Sequence, residues 1–111
     1  MKVKEIADTL NLNVFCGKSG LDKEVTTGYV SDLLSDVMGN SEAGSIWVTL
    51  QTHKNIMAIA SLKDLSAVIL VNSAEPEEDT AGQSEDEGIA ILGTTLSTFE
   101  ITGRLYQLLH K

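Results

Sequence analysis

The side chains of this chain that could hold a ligand are hydroxyls and amides gathered at the ends of three apolar runs. Ile46-Trp47-Val48-Thr49-Leu50 leads into Gln51, Thr52 and His53; Ala67-Val68-Ile69-Leu70-Val71 leads into Asn72 and Ser73. Ile89-Ala90-Ile91-Leu92 leads into Thr94, Thr95, Ser97 and Thr98. Open parallel sheets bind ligands beyond the carboxyl ends of their strands, and the free amides and dipole at a helix start favour an anion. Thr49, Gln51, His53, Asn72, Thr94, Thr95, Ser97 and Thr98 are therefore the candidate ligand-binding set, and a small phosphate-bearing molecule is the ligand class. Capping is the other use of the same residues, since Ser and Thr cap helices wherever strands lead into them.

Other constellations carry less chemistry. Asp32 and Asp36 are four apart on one face of an expected helix, a spacing that suits either a cation or acid–base pair or a solvated face. His53 and His110 are the two histidines and Cys16 the one cysteine, too few at ligand spacing for a transition-metal site. One cysteine cannot form an internal disulfide, and Cys16 beside Phe15 reads as a small buried side chain. There is no GxxxxGK(S/T) loop and no GxGxxG turn after a strand; Lys18-Ser19 reads as a turn. No catalytic residue, metal or cofactor is expected. Tyr29, Val30 and Trp47 are candidate interface residues, because aromatic anchors favour well-packed contacts; burial in the core is the alternative for Trp47. The Leu105-Tyr106-Leu108-Leu109 face of the last helix is a further docking candidate.

The elements that position these groups follow from periodicity. Val3, Ile6, Ala7 and Leu10 recur at helical spacing over residues 1–10, residues 12–16 read as a short strand, and residues 25–30 as an extended segment around Gly28. Residues 31–38 turn helical with Ser31 as cap, ending at Gly39-Asn40. Three strand–helix repeats follow, with helices over 53–62, 77–87 and 97–109. The second is polar, with Ala81 its one inward apolar residue; the third opens on Ser97-Thr98-Phe99-Glu100 at capping-box spacing. Continuously apolar strands alternating with helices predict one α/β domain with a mainly parallel sheet flanked by helices.

The chain has 111 residues, 42% of them hydrophobic, which is enough for one domain with its own core. Eight basic residues against sixteen acidic ones give a net charge of −8, which argues against a nucleic-acid partner. The opening residues lack a signal core and no apolar run nears the length of a membrane span, so a cytoplasmic protein with no membrane contact is expected.

The segment from Glu24 to Met38, EVTTGYVSDLLSDVM, resembles the signature of the DRTGG domain. The likeness extends through Val3-Lys4-Glu5-Ile6-Ala7, Gly44-Ser45-Ile46-Trp47-Val48-Thr49, Gln51-Thr52-His53, Ala67-Val68-Ile69-Leu70 and Ser97-Thr98-Phe99, so that residues 1–111 are identified as one DRTGG-like domain. The five-letter string that names the family is absent; Asp22-Lys23 and Thr27-Gly28 are its nearest counterparts. The resemblance implies a compact α/β accessory module of the kind found in HPr kinases, phosphotransacetylases and CBS-containing pyrophosphatases. Such modules lie in some cases at a dimer interface of enzymes controlled by adenine nucleotides. It therefore implies a non-catalytic regulatory or assembly module, homodimeric, sensing a small anionic ligand such as an adenine nucleotide. The alternative is a docking module for a partner enzyme. Stand-alone members resemble neighbours of hydrogenase genes, which makes a hydrogenase-associated enzyme a candidate partner.

Overall fold

Residues 45–49, 67–70 and 90–93 lie side by side because nearly every one is apolar and needs cover on both faces, which a central parallel strand obtains. The computed structural model describes residues 1–110. Helix α1 (Val3–Thr9) precedes strand β1 (Asn13–Cys16), a short 3-10 turn at Lys18–Gly20 and strand β2 (Thr27–Val30). Then come α2 (Leu34–Asn40), β3 (Ser45–Thr49), α3 (Asn55–Leu62), β4 (Ala67–Leu70), α4 (Glu78–Glu87), β5 (Ala90–Gly93) and α5 (Thr98–Leu109). The sheet runs β1-β5-β4-β3-β2, with β2 to β5 parallel and β1 antiparallel at the far edge. The expected α/β fold is present, and β2 extends the parallel set to four strands.

Because β2 to β5 are laid down in order, α2, α3 and α4 all cross one face. Trp47, Val68, Leu70 and Ile91 meet Val37, Ile56, Met57 and Ala60 there. On the other face Ile46, Val48, Ile69 and Leu92 meet Val3 and Ile6 of α1 and Ile101, Leu105 and Leu108 of α5. Each fully buried aliphatic side chain contributes about 1.5–3 kcal/mol of transfer free energy. Helices on both faces thus clamp the strands and hold their ends rigidly.

Three local expectations change. Helix α2 starts at Leu34 with Leu33 as cap, while Ser31 Oγ accepts the Leu33 amide in a turn at 3.1 Å, and the helix runs on through Asn40. Helix α4 has little apolar surface because it is docked by hydroxyls: Thr80 and Ser84 are fully buried, donating to the carbonyls of Thr52 and Ile89. Ser97 caps α5 by accepting the Glu100 amide at 3.2 Å, yet the Glu100 carboxylate turns to Arg104 at 3.4 Å instead of back to the cap. That leaves half of the expected capping box.

Candidate functional site

The carboxyl ends of β2 to β5 share one edge of the sheet, and the antiparallel β1 returns Asn13 to it opposite Gly93. The hydroxyl-rich residues found in the sequence do lie along this edge, but they fall into three groups with different work.

Beyond β2 and β3 they form a closed knot. Thr49 Oγ1 donates to Asp32 Oδ1 at 2.8 Å and the Leu50 amide to the same oxygen at 2.7 Å. Gln51 donates its side-chain amide to the Asp32 carbonyl at 2.8 Å and its backbone N–H to Thr49 Oγ1 at 3.2 Å. Thr49 is buried and its hydroxyl is spent within the chain. Asp36 faces elsewhere: Tyr29 OH donates to it at 2.8 Å and Asn40 Nδ2 at 2.9 Å. The Tyr29 hydroxyl bond, with those of Ser31 and Asn40, holds the Asp36 carboxyl below the usual aspartate range, and the same bond raises the Tyr29 phenol. The two aspartates thus serve separate hydrogen-bond sets and do not form a pair.

The turn after β3 is tied to the start of α4. The Glu77 amide donates to the Thr52 carbonyl at 3.2 Å, and His53 Nδ1 lies 2.8 Å from Glu77 Oε2. Both side chains of that contact are about half or more exposed, so it contributes little in water. His53 borders an open depression with Lys54, Asn55, Glu77 and Asp79.

The third group surrounds a cleft of about 340 Å³ beyond β4, β5 and β1, lined by Asn11, Asn13, Phe15, Ser73, Glu75, Gly93, Thr94 and Thr95. Backbone conformation builds its walls. Asn11, Asn72 and Ser73 hold positive φ of 54°, 54° and 61°, uncommon for residues with a side chain. The left-handed pair at 72–73 turns the chain after β4, and its amides bond the carbonyls of Leu96 and Thr94, each at 2.9 Å. The loops after β4 and β5 are thereby locked together. Thr94 Oγ1 accepts the Leu96 amide at 3.1 Å, whereas Thr95 is exposed on the cleft. Val14 pairs with Leu92 and Cys16 with Ile91, which leaves Phe15 as the extra residue of a β-bulge. Bulges re-aim side chains, and this one lays the Phe15 ring against Gly93, where any Cβ would overlap it. Thr98 stands in the first turn of α5, where its amide and that of Phe99 have no partner within the helix.

Of the expected ligand set, Thr94 and Thr95 line the cleft with Ser73, the neighbour of Asn72. Ser97 is occupied as a cap, Thr49 and Gln51 are occupied in the knot, and His53 stands at the separate depression. Asn11, Asn13, Phe15, Glu75 and Gly93 were missed in the sequence. Gly93 ending an apolar strand was the one available signal, since such a glycine marks close approach.

Among the interface candidates, Trp47 is fully buried within the chain and donates its indole N–H to the Ser31 carbonyl at 2.8 Å. It offers no surface to a partner, which corrects the interface assignment in favour of the core alternative. Tyr29 is half-buried and Val30 exposed, both on the edge strand. Cys16 is buried, and that burial raises its thiol pKa. Among the described residues no group of His, Cys, Asp and Glu could hold a metal ion, and no helix is long and apolar enough to cross a membrane.

No protein-family model matches the chain, and no curated protein does. Solved structures do match. The fold is similar to the CBS and DRTGG domains of the regulatory region of Clostridium perfringens pyrophosphatase, crystallised with its activator diadenosine tetraphosphate. The TM-score is 0.67 at 15% identity, over 94% of this chain and 45% of that one. The chain thus spans less than half of that regulatory region, and the likeness is one of fold.

Proposed function

We propose that the chain is a single DRTGG-like domain, 1–111, acting in the cytoplasm as a non-catalytic regulatory module that senses an adenine nucleotide at its carboxyl edge. The observation that carries this reading is the cleft of about 340 Å³ whose loops after β4 and β5 are hydrogen-bonded to each other. Phe15 offers an aromatic surface to a base, Asn11 and Asn13 offer paired donors and acceptors, and the free amides of Thr98 and Phe99 lie along the same edge for phosphate. Glu75 and the net charge of −8 oppose a bare anion, so the base and sugar must supply part of the affinity. The solved relative of the same fold belongs to a regulatory region and holds a dinucleotide activator.

Homodimerisation belongs to the same proposal. Leu33, Leu50 and Phe99 follow β2, β3 and β5 and are 64%, 43% and 89% exposed. They form an apolar rim around the edge that carries the cleft, and joining two such edges would shelter both the rim and the ligand. The test is thermal unfolding, read by Trp47 fluorescence, with AMP, ADP, ATP and diadenosine tetraphosphate, alongside light scattering for mass. A nucleotide at about 100 times its Kd adds roughly 2.7 kcal/mol of stability. The expected result is a shift with adenine nucleotides that Thr95→Ala and Asn13→Ala weaken, on a particle of dimer mass. Flat curves on a monomer would refute it.

A second reading, a docking module for a partner enzyme, is favoured by one observation: among the described residues β2 ends the sheet and pairs with a strand on one side alone.

A further inference from the structure

An uncovered edge strand is a template for pairing with another chain. In the sheet order, β2 has β3 on one side and, among the described residues, no strand on the other. The hydrogen bonds fix which of its groups face outward. The Ser31 amide bonds the Val48 carbonyl at 3.3 Å with Val30 opposite Val48, while the carbonyl of Thr49 bonds the Val71 amide on the opposite side of β3. The alternation therefore turns the backbone of Thr27 and Tyr29 toward β3 and that of Gly28 and Val30 outward.

Each face of this edge carries a slot. On the α5 side, about 130 Å³ lies between Gly28, Val30, Leu105, Tyr106 and Leu109; it exists because Gly28 has no side chain, and a Cβ there would sit 3.3 Å from Leu105 Cδ2. On the α2 side, about 190 Å³ is bounded by Thr27, Tyr29, Asn40, Glu42 and Ser45. Among the described residues, two buried side-chain atoms have no hydrogen-bond partner, Thr102 Oγ1 and Ser45 Oγ. Thr102 lines the first slot and Ser45 the second. Two orphaned hydroxyls flanking one free strand point to an occupant.

We propose that β2 is an acceptor for an extended segment of a partner protein in which an aliphatic residue alternates with Lys or Arg. Strand addition uses main-chain bonds for affinity and alternate side-chain pockets for specificity. Successive side chains of an added strand point to opposite faces, so one enters the apolar slot and the next reaches Glu42. A second copy of β2 fits less well. Residues 25–31 contain no Lys or Arg, and self-pairing would bring Asp36 and Glu42 of two copies onto the same face of a chain with charge −8. The inference rests on the docking reading and names the surface and the chemistry it accepts.

The test titrates the full chain with an eight-residue peptide of alternating Val and Lys, and with the same peptide carrying Glu for Lys, reading backbone amide shifts and Kd. The expected result is shifts at Gly28, Val30 and the α5 slot with the Val/Lys peptide. Glu42→Lys should weaken that peptide about tenfold and favour Val/Glu. Gly28→Val, shown folded by circular dichroism, should block both. Equal binding of the two peptides, or shifts at another surface, would overturn the groove while leaving a docking module. Concentration-dependent protection of Gly28 and Val30 without peptide would overturn it in favour of a second copy. No shifts with either peptide would overturn groove and docking reading together.

Discussion

Asp32→Ala separates structural from ligand-binding use of the carboxyl edge. Asp32 Oδ1 accepts from Thr49 Oγ1 at 2.8 Å and from the Leu50 amide at 2.7 Å, so alanine removes two bonds to one charged oxygen. Hydrogen bonds to charged groups contribute roughly 1.5–3 kcal/mol each. Asp32 is exposed, which places both at or below the lower end, and water re-solvates the Leu50 amide. The sum is a loss of about 2 kcal/mol. At roughly 4 °C per kcal/mol for a domain of this size, Tm falls by about 8 °C. Asp32→Asn keeps an acceptor oxygen and loses the charge, for about 1 kcal/mol. Thr49→Val removes the hydroxyl alone, and the double variant should fall short of the sum of the singles by about 1 kcal/mol, because both belong to one network. The assay is thermal and urea unfolding followed by Trp47 fluorescence, with and without nucleotide. An Asp32→Ala protein as stable as the parent, or one that keeps its Tm and loses its nucleotide shift, would refute the structural assignment.

Tyr29→Phe should let the Asp36 carboxyl titrate closer to the usual aspartate range, followed by carbon NMR. In the parent the depressed Asp36 adds stability that is present above the unfolded aspartate pKa and fades as pH falls through the folded one. The raised Tyr29 adds stability present below the unfolded tyrosine pKa and lost as pH rises through the folded one, so the variant's deficit should be largest between those limits. Gly93→Ala should displace the Phe15 ring, cost about 1–2 kcal/mol by overpacking, and weaken nucleotide binding in the same protein. Ser97→Ala should cost about 1 kcal/mol as a lost cap and leave the nucleotide-induced shift in place; loss of that shift at unchanged stability would make Ser97 a ligand residue.

The sheet was legible because 46–50, 67–71 and 89–92 are apolar without alternation, a pattern that fits strands covered on both faces. The edge strands were harder. Residues 12–16 and 25–30 are short and half-exposed, and no local pattern told that β1 runs antiparallel and brings Asn13 and Phe15 to the cleft. That is why Asn11, Asn13 and Phe15 were missed. The expected hydroxyls were found in place, but a threonine that closes a loop and one that faces a cleft have the same sequence. Thr49 and Thr95 differ only in whether a partner such as Asp32 arrives from another element. Helix α4 stands where the sequence places it, but what docks it was not legible: Thr80 and Ser84 are polar and escape a search for an apolar stripe.

The central claim, a nucleotide site in the cleft beyond β5 and β1, is tested most directly by amide chemical shifts of the labelled protein titrated with diadenosine tetraphosphate, ATP and inorganic phosphate. Saturable shifts centred on Asn13, Phe15, Ser73 and Gly93 to Thr95, stronger for the adenine nucleotides than for phosphate, are the predicted result. Shifts centred on the His53–Glu77 depression, or none at millimolar nucleotide, would contradict it.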